Sequence, residues 1–107
     1  MMDLMAGAPT NEKAIRRADQ ELLAKYHEAR LADLLEHVRA GFVRYEAGEI
    51  DAFGLDDLIH HYQLAAQQLW KFCAVSGGQV EIAVRTLELW AERGETRVWW
   101  DTVRKRR

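Results

Sequence analysis

The sequence holds one proline, one cysteine and one serine in 107 residues, and each scarcity removes a class of answer. The proline is Pro9, so no proline interrupts a helix from position 10 onward. Cys73 has no second cysteine with which to close an internal disulfide, which accords with a reducing compartment. Ser76 lies in no nucleophile elbow, and the chain has no Gly-rich phosphate loop and no Cys-x-x-Cys. No apolar run approaches the ~18 residues of a membrane span. The start, Met1 to Pro9, lacks the basic residues and long apolar stretch of a signal peptide. The expected location is the cytoplasm. Basic residues are missing from the middle of the chain. Between Arg44 and Lys71 stand Glu46, Glu49, Asp51, Asp56 and Asp57 with no Lys or Arg. The last four residues, Arg104, Lys105, Arg106 and Arg107, are all basic, and subtracting their +4 from the net −2 leaves −6 for the rest. An acidic body carries a short basic tail.

What is present is ordinary for one globular domain: 49% hydrophobic and 30% charged residues, in a length that supports a single core. The expected division is a flexible segment over 1–9, one helical domain over 10–103, and the tail 104–107. No internal repeat or linker interrupts it.

The organising stretch is Tyr45 to Leu55. Gly48 fits the residue just past a helix end, where φ is positive and a side chain is penalised. Asp51 fits the N-cap of the next helix, with Ile50 and Leu55 at the two positions of a hydrophobic staple. The pattern predicts an antiparallel helical hairpin. Its first arm starts at a cap on Thr10 or Asn11 and runs to Ala47, about 36 residues and ~55 Å at 1.5 Å per residue. Glu12/Arg16 and Glu21/Lys25 support it as i,i+4 pairs. Two apolar stripes run along this arm almost half a turn apart: Ile15, Ala18, Leu22, Tyr26, Ala29, then Leu31, Leu34, Leu35, Val38, Phe42, Tyr45. An unkinked helix serving two different partners explains them. The second arm is expected from Ala52 to about Val75 with a broad apolar face. Gly77 and Gly78 end it, and Ser76 with Gln79 reads as a capping box for a third helix reaching about Arg93, stopped by Gly94. Residues 95–103 fit either a short helix or an extended segment.

Chemistry-bearing patterns are sparse. Asp33/His37 and Asp57/His61 sit at i,i+4 spacing, but without a third ligand they read as surface ion pairs, so no metal site or cofactor is expected. Arg30 and His37 enclose six residues on one helix face. This spacing resembles the Arg-x(4–6)-His pair of the all-helical ribonucleases of the HEPN superfamily, and the resemblance implies Arg30 stabilising the cleaved phosphate and His37 as acid or base. Residues 72–85 have the length of a helix-turn-helix, with Arg104 to Arg107 as phosphate contacts. The would-be reading helix has one acid and no base before Arg85, against the basic footprint such binding needs.

The expectation is a helical protein–protein interaction module that acts as a homodimer without catalysis. The first arm outruns the second by about 12 residues, ~18 Å, which leaves its N-terminal apolar residues without cover from the hairpin. Candidate interface residues are Ile15, Leu22, Tyr26, Ile82, Leu89, Trp99 and Trp100. A competing account has residues 95–103 fold back so that Trp99 and Trp100 cover that stripe within one chain.

Overall fold

A computed structural model describes residues 11–104 as α1 (Glu12–Glu46), α2 (Ala52–Cys73), α3 (Gly78–Glu92) and a 3-10 turn (Trp99–Thr102), with no strand among them. The all-α hairpin with a third packed helix is what the sequence predicts. Residues 1–9, Thr10 and the last three basic residues, Lys105 to Arg107, lie outside the described residues.

The ends of the helices follow from their capping chemistry. Asn11 accepts the N–H groups of Lys13 and Ala14 at 2.9 and 3.3 Å, so it supplies the first cap. At the other end of α1, Gly48 has φ +78°. Its N–H donates to the Tyr45 carbonyl at 3.0 Å, and that of Glu49 to Arg44 at 2.8 Å. These are the paired bonds of a Schellman stop. The Asp51 carboxylate accepts from Gly54 N–H at 2.9 Å and opens α2. The expected Ser76 capping box is not formed. Gly77 is the N-cap of α3 with no side-chain bond, and its φ of +60° turns the chain one residue later than the box requires. Gly94 (φ +68°) ends α3 with the same pair of bonds as Gly48.

The two long helices meet where Gly41 lets them approach. A Cβ at that position would lie 2.8 Å from Leu58 Cδ1 and 3.5 Å from Leu55 Cδ1. A glycine inside α1 thus exchanges helix propensity for close contact. Leu34, Ala65 and Leu69 lie at the centre of the core, with Leu23 and Cys73 toward its lower end.

The third helix runs back toward the hairpin turn, but it starts beyond the end of α2. α2 ends near the level of Tyr26, against which Phe72 packs, and residues 74–77 can reach roughly 13 Å at ~3.3 Å each. They carry the chain on to the N-terminal end of α1, where Gly77, Gly78, Val80 and Glu81 border one cavity with Glu12, Ile15, Arg16 and Asp19. From there α3 climbs beside α1 in the same direction, and Leu87, Trp90 and Ala91 face Tyr26 and Arg30. α3 therefore lies along the overhang of α1 through buried Val80, Ala83 and Val84, yet Ile15 and Leu22 stay exposed there.

The two stripes of α1 do serve two partners, α2 and α3, both within the chain. Those partners are neighbours round the helix and not opposite each other. The buried residues Leu23 and Gly41 consequently fall between the stripes and Leu34 on the near edge of the second, at spacings of 11 and 7 that return to one face. Each stripe keeps its outer edge in solvent.

Residues 95–103 are neither of the two expected forms alone. Val98 is extended (φ −95°, ψ 103°) and leads into the 3-10 turn.

Candidate functional site

The most elaborate chemistry lies where the 3-10 turn crosses the hairpin. Trp99 is buried, and its indole N–H donates to the Tyr26 hydroxyl at 2.8 Å. Phe72 packs between Tyr26, Trp90 and Trp99 with ring centroids 5.5–6.1 Å away. The Arg97 guanidinium lies over both Trp90 and Trp99, 5.3 and 5.1 Å from their centroids, a cation–π arrangement that ties the loop after α3 to the cluster. Burial pushes the Tyr26 hydroxyl up in pKa, with the Trp99 hydrogen bond and the Arg30 charge opposing it. Burial alone raises the Cys73 thiol to about 11, so this cysteine is a packing residue and a poor nucleophile.

Trp100 is held between two imidazoles. His37 stacks on it nearly parallel at 4.0 Å, and His61 is tilted against it at 4.2 Å. The buried His61 places Nε2 2.7 Å from the Trp100 backbone carbonyl. A carbonyl only accepts, so Nε2 carries the proton. Where surface ion pairs are expected at Asp33/His37 and Asp57/His61, Asp33 pairs with Arg30, His37 stacks on Trp100, and His61 turns Nε2 inward to the Trp100 carbonyl. A histidine–acid pair on the surface is instead His60 with Asp56, at 3.5 Å.

Arg30 and His37 border one cavity of about 90 Å3, together with Asp33 and residues 96–100. Both side chains are occupied. Arg30 Nε donates to Asp33 at 2.8 Å while its guanidinium lies 5.5 Å from the Tyr26 ring centroid, and His37 is flat against an indole. No group of three or more metal-ligating side chains occurs among the described residues. On α3, Glu81, Glu88 and Glu92 stand against a single base, Arg85. Arg104 is exposed at the end of the described chain. No helix of the described residues is long and apolar enough to cross a membrane.

The residues expected at an interface separate into two groups. Trp99 is buried, and Trp100 and Tyr26 are half-buried in the same cluster, so these three are used inside the chain, but Ile15 and Leu22, which the competing account has the two tryptophans cover, stay exposed. Ile15 (52% exposed), Leu22 (44%), Ile82 (66%) and Leu89 (42%) remain open. A further set escaped the sequence reading. Leu35 (47%), Phe42 (44%), Tyr45 (42%) and Trp70 (58%) are exposed along the hairpin itself. The signal was available: the second stripe of α1 spans about 100° of arc between Leu34 and Leu35, more than one partner helix covers.

Compared with models of known families, with curated proteins and with solved structures, the chain matches none.

Proposed function

We propose that the protein is a small helical protein–protein interaction module, an assembly or adaptor unit, that acts as a homodimer and carries no catalysis. The observation behind this reading is the amount of large apolar side chain left in solvent by a chain that otherwise packs its aromatics with hydrogen-bonded partners. Contiguous exposed apolar surface marks interfaces, and closed twofold pairing is the commonest way to bury it. Sedimentation equilibrium across a wide concentration range tests it. The expected result is a mass rising to twice 12.4 kDa; a constant 12.4 kDa at every concentration contradicts it.

A ribonuclease reading draws on one observation, that Arg30 and His37 border the same cavity. Catalysis there would require both side chains to leave Asp33 and Trp100. Cleavage of single-stranded RNA that disappears in Arg30→Ala and His37→Ala would establish it. A nucleic-acid-binding regulator would use α3 and the basic tail, yet α3 presents three carboxylates for one guanidinium, a poor match to phosphate.

A further inference from the structure

Resting on the homodimer reading, we infer that the second copy docks on the open side of the α1–α2 hairpin, two hairpins closing into a four-helix core around Leu35, Phe42 and Trp70. The position of this surface follows from the helix period and two fixed points. His37 and His61 both face Trp100, so the 3-10 turn defines one side of the hairpin. At 100° per residue, Leu35 and Phe42 lie roughly 140–160° round α1 from His37. Ile59 lies about 160° round α2 from His61, and Trp70 about 160° from Phe72. Both apolar flanks therefore share the side turned away from the 3-10 turn. In the antiparallel register that Gly41 opposite Leu58 and the shared Trp100 clamp set, Ile59 falls between the levels of Leu35 and Phe42, and Trp70 lies roughly 10 Å beyond Leu35 toward the far end of the hairpin.

Charge selects a second copy as the occupant. The body of the chain is acidic, so two copies repel wherever carboxylates meet. The α1 stripe from Leu31 to Tyr45 and its neighbours Ile59, Ala66 and Trp70 hold no charged side chain. The outer face of α3 does the opposite, surrounding Ile82 and Leu89 with Glu81, Glu88 and Glu92 against one base, Arg85, a net negative face. Self-pairing there would bring like charges together.

Area points the same way. At about 150–250 Å2 for a whole aromatic side chain, the exposed parts of Phe42, Tyr45 and Trp70 come to roughly 300 Å2. Leu35 and the half-buried Leu31, Val38 and Ile59 add to that. A standard interface takes about 800 Å2 from each partner, of which about 500 Å2 is apolar. The open flank supplies most of that apolar share, and pairing of two helical hairpins through such flanks is the ordinary construction of a four-helix bundle.

The test compares dimer dissociation constants of the full chain by analytical ultracentrifugation. Trp70→Lys is the principal variant because Trp70 is largely exposed and its replacement leaves the core intact; Leu35→Glu is the second, with circular dichroism verifying helicity. Each weakens association at least about tenfold, the scale of an interface anchor. The pair Ile82→Asp and Leu89→Asp leaves it unchanged. A wild-type dimer that is indifferent to Trp70→Lys but dissociates in the α3 pair overturns this surface while keeping the homodimer. A wild-type monomer at every concentration overturns both.

Discussion

The two sides of the α1–α2 hairpin are both apolar, yet only one is finished. On the closed side polar groups tie the elements together: Trp99 N–H on Tyr26, His61 Nε2 on the Trp100 carbonyl, Arg97 over two indoles. On the open side Leu35, Phe42 and Trp70 stand in water with no polar device among them. The difference follows from chain length. α3 has 15 residues against 35 in α1; with the 3-10 turn it covers one flank of the hairpin, and no further element among the described residues covers the other. Specific hydrogen bonds fix which side the chain folds back on, because an unpaired buried donor costs more than a misplaced methyl group. A plain apolar flank has no such address, and it suits a partner that arrives with the same surface.

Breaking the closed side has the largest effect. Trp99→Ala removes the centre of the aromatic cluster and leaves the Tyr26 hydroxyl without its donor, so it costs about 3–5 kcal/mol in urea unfolding. Next come the adjacent positions Leu34 and Leu35, which compare core and open flank on a single helix. Leu34→Ala costs about 2–5 kcal/mol, whereas Leu35→Ala changes the stability of the isolated monomer by less than about 0.5 kcal/mol. Equal costs would mean that the two flanks are not different. Asp51→Ala acts on the turn that both sides share. It loses the Gly54 cap for about 1 kcal/mol, lowering stability without changing which surface associates.

The smallest effect is confined to alkaline pH. Cys73 goes from its usual 9.0 to about 11 on folding, so between those values the unfolded chain releases a proton that the folded one keeps. Stability from this group is complete below pH 9 and declines as pH rises toward 11. Tyr26, raised from 10.0, adds to the same decline from pH 10 upward. Urea midpoints at pH 8, 9.5 and 11 should fall in that order, and Cys73→Val should remove part of the fall.

The hairpin was legible because its signals are local: Gly48 and Asp51 state a stop and a start within four residues. The Ser76 box misled for the same reason, since the pattern is present and Gly77 moves the helix start past it. Where α3 starts was not legible, because nothing in Ala74 to Gly77 fixes how far they carry the chain along α1 before the helix turns back toward the hairpin turn. His61 and His37 were also beyond reach, because their partner Trp100 is 39 residues from His61 and the sequence offered nearer acids. Of the candidate interface, Ile15, Leu22, Ile82 and Leu89 are exposed as expected, while Trp99 is buried and Trp100 is half-buried within the chain. Leu35 and Phe42 were assigned to the core stripe. The width of that stripe was the warning that half of it had no partner.

The most direct measurement is the set of four indole N–H signals in a 15N–1H spectrum recorded on serial dilution from millimolar to low micromolar. Trp70 is on the open flank, Trp99 is bonded to Tyr26, and Trp90 and Trp100 are within the closed side. The account predicts that the Trp70 signal moves with concentration while the Trp99 signal stays in place. A Trp70 signal that is constant over the whole range, or a shift confined to residues of α3, contradicts it.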